Sequence, residues 1–311
     1  MLPYHELGKT GMKISALSFG ASSLGGVFHD LKEKEGIEAV FTAIEAGMNF
    51  IDVSPYYGHY KAETVLGKAL KDIPRDRYYL STKVGRYGKD GVNTWDYSGK
   101  RASESVYESM ERLNVDHIDL INVHDIEFAD LNQVVNETLP ALVELRENGI
   151  VSHVGITDLQ LENLKWVIDH VPAGTVESIL NFCHFCLCDE KLVDFLNYFE
   201  ECGIGVINAS PLSMGLLTDR GAPAWHPAPQ SLADACRKAV EHCKAKNYPI
   251  EKLAIQYSVS NPRIATTLFS TTNPENVRRN VEWTTSPIDW ELVKEVQDII
   301  GDQMRVSWKN S

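Results

Sequence analysis

One unit recurs along the chain: an amphipathic helix, a glycine and then a short apolar strand. Three copies have their glycine at Gly47, Gly149 and Gly203, each directly before an apolar run. A glycine just past a helix can take the left-handed conformation that closes the helix, so each one marks a helix-to-strand junction. A chain built from such units is expected to alternate helices with parallel strands.

The pattern predicts eight strands, at about residues 15–20, 50–54, 78–84, 118–124, 152–157, 177–182, 205–210 and 264–270. Helical patterns separate them, for example at residues 61–71, 100–114, 134–148, 161–170 and 191–202. Most strands are continuous apolar runs, as expected where both faces of a parallel sheet are buried. Strict alternation with eight strands predicts the α/β class and a closed (β/α)8 TIM barrel, with residues 1–311 forming this one domain.

Two elements lie outside the eight-fold count. Residues 5–15, with Gly8 and Gly11 as turn residues, predict an N-terminal hairpin that caps the bottom of the barrel. Residues 289–300 predict an extra C-terminal helix. A doubly wound open sheet is the competing architecture, but no strand is followed by the glycine-rich dinucleotide fingerprint, and residues 20–26 have the wrong spacing for it.

Charge and composition restrict the partners. A net charge of −13 argues against nucleic acid or an anionic membrane as a main partner. No secretory signal or apolar segment of membrane-spanning length is present, so we expect a soluble, cytoplasmic protein. Cys183, Cys186 and Cys188 lie close together, but no second Cys/His pair has zinc spacing, so we expect reduced thiols and no metal. No sequence pattern indicates an oligomeric state.

Polar residues end three consecutive predicted strands: Asp52, Lys83 and His124. Tyr57 follows Asp52 in the next loop. Each has a structural interpretation by itself: a helix N-cap for Asp52, a surface charge for Lys83, a core histidine for His124 and aromatic packing for Tyr57. The carboxyl ends of barrel strands meet at one face, where barrel enzymes hold their active sites. Together, the four residues predict an active site.

A mechanism follows from these residue types. A free tyrosine titrates near 10, which is too high for proton transfer around neutrality. A lysine ammonium about 4 Å away would favour the phenolate by up to ~4 kcal/mol at an effective dielectric near 20. Pairing of Lys83 with Asp52 would weaken this effect, so we expect a Tyr57 pKa of ~7–9, which suits a general acid–base group. His124 would orient and polarise the same substrate oxygen.

Residues 52–58, 81–83 and 122–124 resemble the Asp, Tyr, Lys and His tetrad of the aldo-keto reductase family, and the similarity covers nearly the whole chain. Residues 52–58 and 124–128 are similar, more narrowly, to the branch of plant dehydrogenases that act on L-galactose. The resemblance implies hydride transfer between a nicotinamide cofactor and a small-molecule sugar. It further implies oxidation of the sugar at C1 to L-galactono-lactone, a step of ascorbate biosynthesis.

The resemblance also implies cofactor contacts. Thr157 and Asp158 match the positions that hold the carboxamide, where Ser and Asn are more frequent, and Asn181 stands where a Gln is usual. Ala209 replaces a tyrosine that stacks on the nicotinamide in many relatives. The matched positions are Gly20, Thr157, Asp158, Asn181, Ser210, Leu212, Gly215, Ser270, Thr272, Glu275, Asn276 and Asn280.

The segment after the eighth strand indicates which cofactor is used. In relatives that prefer NADP, a Lys and an Arg bind the 2′-phosphate at the positions held here by Ser270 and Asn276. Glu275 would accept hydrogen bonds from a free ribose hydroxyl and would repel a phosphate. Arg278 and Arg279 are interpreted as a solvated helix face. We therefore predict NAD as the cofactor.

The substrate candidates are Tyr57, His124, Asp125 and Trp95. Trp95 belongs to a long loop at residues 85–99 that also carries Tyr87 and Tyr97, and flat aromatics at a barrel mouth can pack on a sugar ring. The structural alternative is that this loop only packs over the rim. Three other functions stay open: an L-fucose-type aldose 1-dehydrogenase, an NADPH-dependent aldehyde reductase, and a cofactor-bound regulatory subunit of an ion channel.

Overall fold

The computed structural model describes residues 1–27, 31–88 and 95–309. A short antiparallel hairpin, β1 (Tyr4–Glu6) and β2 (Lys13–Ser15), precedes the barrel. The barrel strands are β3 (Leu17–Gly20), β4 (Phe50–Asp52), β5 (Tyr79–Val84), β6 (Ile118–Val123), β7 (Val151–Asp158), β8 (Ser178–Phe182), β9 (Gly205–Ala209) and β10 (Thr266–Phe269). All eight are parallel to their neighbours, and β10 pairs with β3 to close the barrel. The predicted closed barrel is confirmed, and an open doubly wound sheet is excluded.

Helices surround the barrel between its strands. They are α1 (Glu33–Glu45), α2 (Lys61–Leu70), α3 (Gly99–Leu113), α4 (Leu131–Gln133), α5 (Leu139–Glu147), α6 (Leu161–Asp169), α7 (Leu196–Cys202), α8 (Gln230–Ala245), α9 (Ile250–Ser258), α10 (Pro274–Thr285) and α11 (Trp290–Ile300). The extra C-terminal helix predicted at 289–300 is α11. Across the described ranges, the helices all fall short of the length and apolarity that crossing a membrane requires.

Two predicted helices are less regular than their patterns indicate. Residues 134–148 contain a π-helical stretch, Val134–Thr138, directly before α5. Pro140, in the first turn of α5, has no backbone N–H to donate, which removes one ordinary helical hydrogen bond there. Residues 191–202 begin as a 3₁₀ helix, Lys191–Phe195, because the Asp189 carboxylate accepts the Lys191 N–H at 2.8 Å and fixes this turn separately from α7.

The three junction glycines adopt the left-handed conformation, with φ of 95° at Gly47 and 74° at both Gly149 and Gly203. The predicted helix-to-strand junctions are therefore confirmed at the backbone. In each case, a β-carbon would be strained at this φ, so glycine is the residue that allows the chain to reverse into the next strand.

The hairpin closes the amino-terminal end of the barrel, as predicted. Leu7, Met12 and Ile14 from the hairpin and its turn are buried in one cluster with side chains of the barrel interior such as Phe50 and Leu120. The bottom of the barrel is thus filled with apolar side chains. The opposite end, where the strands end, is left for polar groups.

Candidate active site

A cleft of about 860 Å³ opens at the carboxyl ends of the barrel strands. This volume lies within the range of small-molecule and cofactor sites. The cleft runs from the barrel centre, past the segment after β9, to the start of α10. Of the predicted site residues, it is lined by Gly20, Asp52, Tyr57, Lys83, His124, Asp125, Thr157, Ser210, Leu212, Gly215, Ser270, Asn276 and Asn280.

Lys83 and Asp52 form a buried ion pair on adjacent strands. The Lys83 Nζ lies 2.5 Å from Asp52 Oδ1, and the two side chains are 1% and 4% exposed. The Nζ also donates to the Val53 carbonyl at 2.7 Å, and Ser81 Oγ donates to the other Asp52 oxygen at 2.8 Å. Burial by itself lowers the pKa of Lys83, but the Asp52 carboxylate raises it on balance, so Lys83 is an ammonium at neutral pH.

Tyr57 reaches this pair from the loop after β4. Its hydroxyl lies 3.4 Å from the Lys83 Nζ. Two glycines set the path of the loop: a β-carbon at Gly58 would overlap the Gly25 carbonyl, and one at Gly25 would come within 2.5 Å of the Tyr57 carbonyl oxygen. The backbones of these two segments therefore approach more closely than other residues would allow, and this contact positions Tyr57.

The pKa of Tyr57 differs from the value expected from sequence. Burial raises it above the ordinary value of 10.0, Lys83 lowers it to a smaller extent, and Asp52 raises it again. The expectation of a lowered pKa, about 7–9, is therefore wrong. Sequence showed which charges surround Tyr57 but not how completely the phenol is removed from water. Tyr57 is protonated at neutral pH and is ready to act as an acid.

His124 lies next to Tyr57 and is held by Ser54. The rings of Tyr57 and His124 meet edge-to-face with centroids 5.7 Å apart. Ser54 Oγ lies 3.0 Å from His124 Nδ1. Burial and the nearby cations Lys83 and Arg86 hold the pKa of His124 well below 6.5, so the imidazole is neutral. A neutral imidazole donates through one ring nitrogen and accepts through the other.

An ion pair absent from the sequence-based prediction lies beside the tetrad. Arg86 Nη1 is 2.5 Å from Asp125 Oδ2, and both residues line the cleft. The guanidinium stacks 3.6 Å over the Tyr56 ring and 4.4 Å from the Trp95 ring centroid. Asp125 is thus placed beside His124 as predicted, but in a pair with Arg86. A cation two residues beyond the end of β5 was the signal in the sequence that indicated it.

The aromatic residues of the 85–99 loop take different places from those expected. Tyr87 and Tyr97 are 1% and 4% exposed, and the Tyr97 hydroxyl donates to the carbonyls of His124 and Asp125. Tyr97 therefore supports the site from behind, Tyr87 is buried away from the cleft, and the expectation of these two rings at the mouth is wrong. Trp95 stacks on Phe128 with centroids 4.0 Å apart and covers Arg86, next to the cleft but not on its wall. Residues 89–94 of this loop lie outside the described residues.

The three residues predicted to hold the cofactor's carboxamide, Thr157, Asp158 and Asn181, differ in whether they line the cleft. Thr157 lines the cleft and accepts the Asp125 N–H at 2.9 Å. Asp158 and Asn181 are fully buried behind the wall. Asp158 accepts the Gln160 N–H at 2.8 Å at the start of α6, and burial raises its pKa to about 8. Asn181 donates to the carbonyls of Asp158 and Leu159, while its Oδ1 is buried with no partner among the described residues.

The segment after β9 has an unusual backbone. Ser210, Ser213 and Met214 have positive φ of 59°, 46° and 50°, and Gly215 has 109°. Within this segment, the N–H groups of Ser213 and Gly215 donate to the carbonyls of Ser210 and Leu212, at 2.8 and 3.0 Å. Ser210, Leu212 and Gly215 all line the cleft here. The predicted pyrophosphate segment therefore lies on the cleft wall, and its contact with a cofactor stays a prediction.

The far end of the cleft carries a cation. Ser270 is hydrogen-bonded to the backbone N–H and the hydroxyl of Ser23, both at 2.8 Å. Arg279 lines the cleft and donates to Asn276 Oδ1 at 2.6 Å. Arg279 is exposed, as expected for a solvated helix face, and it also lines the far end of the cleft. Arg278 pairs with Glu275 away from the cleft wall, and Thr272 is also off the wall.

None of the six cysteines lines the cleft. Cys183, Cys186, Cys188, Cys236 and Cys243 are buried, Cys202 is exposed, and all six are free. Cys186 and Cys188 have their sulfurs 3.5 Å apart. Among residues 1–27, 31–88 and 95–309, no group of three or more His, Cys, Asp or Glu side chains has the arrangement of a metal site.

A closed parallel barrel that gathers Asp, Tyr, Lys and His at the carboxyl ends of adjacent strands, beside an elongated cleft, defines a TIM-barrel oxidoreductase site. The aldo/keto reductase family model matches residues 16–300, so the chain belongs to this family.

Individual relatives include sugar dehydrogenases. The chain is 44% identical to L-galactose dehydrogenase from Arabidopsis thaliana over 97% of this chain and 95% of that protein. It is 30% identical to D-arabinose 1-dehydrogenase from Saccharomyces cerevisiae, with 79% of this chain and 76% of that protein covered. The holo form of an aldo-keto reductase from Bacillus halodurans superposes with a TM-score of 0.79 at 25% identity, over 98% of this chain and 100% of that one.

Proposed function

We propose that this protein oxidises L-galactose at C1 to L-galactono-lactone with NAD as hydride acceptor, a reaction that would place it in ascorbate biosynthesis. The observation that carries this proposal is a cleft wall with two features. The first is the Tyr57 hydroxyl beside Lys83, and the second is the ion pair of Arg86 and Asp125. The first feature supports the oxidoreductase chemistry. The second supports a substrate rich in hydroxyl groups.

The chain's own residues handle the proton. The C1 hydroxyl of the sugar would lie between Tyr57 and His124, with His124 orienting the oxygen and Tyr57 accepting its proton as the lactone forms. Lys83 stabilises the phenolate that must exist for this step, and Asp52 holds Lys83 in place. Because burial raises the pKa of Tyr57, the phenol must first release its proton to solvent before the phenolate can accept the proton of the sugar hydroxyl. A bound nicotinamide cofactor supplies the hydride acceptor.

The substrate class is supported by the wall beside the tetrad. A simple apolar aldehyde has no group that pairs with Arg86 or Asp125. A sugar offers hydroxyls that donate to the Asp125 carboxylate and accept from the Arg86 guanidinium, whose side chains are 7% and 17% exposed. Hydrogen bonds with charged groups are among the stronger ones. The sugar dehydrogenases among the relatives support the same class.

For the cofactor, the cleft offers a route from the tetrad to α10. Ser210, Leu212 and Gly215 on the cleft wall would lie along the pyrophosphate, and Thr157 would serve the carboxamide end, with Asp158 and Asn181 buried behind it. Gly20, Ser270, Asn276 and Asn280 complete the proposed set on the cleft wall, whereas Thr272 and Glu275 lie off it. NAD is favoured because Ser270 and Asn276 are neutral. Arg279 on the cleft wall is an observation that favours NADP, and with it NADPH-dependent aldehyde reduction.

The test is NAD(P)H formation by the purified protein with L-galactose, L-fucose, D-galactose and D-arabinose, each with NAD and with NADP. A small aldehyde with NADPH tests the reductive alternative. The proposal predicts the highest kcat/KM for L-galactose with NAD. Equal or greater kcat/KM for the aldehyde with NADPH would contradict it and would support the second candidate. Arg86→Leu should raise the KM for the sugar by about tenfold or more, since it leaves Asp125 buried without its partner.

A further inference from the structure

Ser54 has a hydrogen-bonding position that the tetrad chemistry does not use. It follows β4, is fully buried, and lies between the loop that carries Tyr57 and the ring of His124. Its Oγ accepts the N–H of Tyr56 at 3.1 Å and lies 3.0 Å from His124 Nδ1. Within the described residues, these are the two hydrogen-bond partners of the Ser54 side chain.

Counting donors decides which way the second hydrogen bond runs. The Tyr56 N–H can only donate, so Ser54 Oγ is the acceptor there. If Nδ1 of His124 carried a proton, Oγ would receive two donors, and its own hydroxyl hydrogen would be buried with no acceptor. If Nδ1 is bare, the Ser54 hydroxyl donates to it and every group is satisfied. Buried polar hydrogens are almost always paired in proteins.

The surroundings of His124 Nε2, on the other side of the imidazole ring, indicate the same tautomer. His124 Nε2 lies 3.6 Å from Asp125 Oδ2, and a carboxylate favours an N–H over a lone pair facing it. At 3.6 Å, this contact is longer than a hydrogen bond, so an Nε2–H remains free to donate to a substrate oxygen in the cleft. The ring is neutral, as its lowered pKa indicates, so one nitrogen carries the proton.

We propose that Ser54 is a positioning residue that fixes His124 as the Nε2–H tautomer, so that His124 meets the substrate oxygen as a donor and cannot take its proton. Proton transfer then falls to Tyr57 alone. The inference rests on the proposed function for its catalytic consequence. The tautomer itself is independent of any substrate.

The first experiment reads the tautomer directly. Protein labelled with ¹⁵N-histidine is examined without cofactor or substrate by long-range ¹H–¹⁵N correlation, and the His124 signals are assigned by their loss in His124→Gln. We expect a bare Nδ1 and a protonated Nε2. A protonated Nδ1 would overturn the proposal, and this result would be the same whether or not the protein oxidises sugars.

The second experiment measures the consequence. Ser54→Ala should give a mixture of tautomers and lower kcat/KM by about tenfold, the effect of one hydrogen bond at a reacting centre, while cofactor affinity is unchanged. Ser54→Thr keeps the hydroxyl and should restore both the tautomer and the rate. Ser258→Ala is the matched control, because it removes a buried hydroxyl whose hydrogen-bond partner, within the part of the chain that the structure describes, is the Phe185 carbonyl. A pure Nε2–H form with unchanged kcat/KM in Ser54→Ala would refute the role of Ser54.

Discussion

At Tyr57, burial and the Asp52 carboxylate oppose the Lys83 ammonium, and burial has the largest effect on the pKa of the phenol. We therefore predict no phenolate from Tyr57 below about pH 10 in the cofactor-free protein. The measurement is an ultraviolet pH titration of the wild type minus that of Tyr57→Phe, which cancels the signals of the other tyrosines. A phenolate signal in the difference that appears between about pH 7 and 9 would show that Lys83 outweighs burial after all.

The buried pair of Lys83 and Asp52 predicts a second result at the scale of single residues. Asp52→Asn leaves the ammonium without its counter-ion, which should lower the free energy of unfolding by about 3–5 kcal/mol. Adding Lys83→Met to this variant removes the uncompensated charge and should recover part of the loss. Chemical denaturation of the wild type, both single variants and the double variant gives the coupling. A double variant less stable than Asp52→Asn would mean that the charges do not act as a pair.

At the scale of elements, the contact between the loops after β3 and β4 positions Tyr57. Gly58 and Gly149 both have left-handed backbones, with φ of 63° and 74°, but only a β-carbon at Gly58 meets another backbone, that of Gly25. Gly149→Ala should therefore cost about 1 kcal/mol of stability without changing kcat. Gly58→Ala should cost more and should also lower kcat by about tenfold or more, because it displaces Tyr57.

Steady-state kinetics and thermal unfolding of the two glycine variants separate the displacement of Tyr57 from the backbone strain, since both variants share the strain of a left-handed alanine. Equal losses in stability, with kcat unchanged in both, would show that the Gly25–Gly58 approach does not set the position of Tyr57.

Helices and strands could be predicted from the sequence where apolar periodicity and turn glycines determine them. The eight strands, the hairpin and α11 follow from apolar runs and turn residues, which are local properties of the sequence. The 191–202 pattern failed in part because the Asp189 carboxylate, which precedes the helix, fixes its first turn. Contacts of this kind depend on the path of a loop, which no periodicity contains.

At the scale of the whole molecule, closure of the barrel explains why Asp52, Lys83 and His124 could be predicted as one site. Residues at the ends of adjacent parallel strands must meet once the strand order is known. Arg86 and Ser54 were missed because their roles depend on the direction of side chains in loops. The sign of the Tyr57 pKa shift was missed for a related reason, since burial arises from the packed molecule and not from neighbouring residues in sequence.

The most direct measurement on the central claim compares Tyr57→Phe with the wild type, using L-galactose and NAD. The variant loses only the hydroxyl that contacts Lys83, while the ring stays against His124. We predict that kcat falls by about 10³-fold or more, as for loss of an acid–base group, and that NAD affinity, read by fluorescence titration, stays within about twofold. Near-normal turnover in Tyr57→Phe would contradict the assignment of this cleft's chemistry to Tyr57.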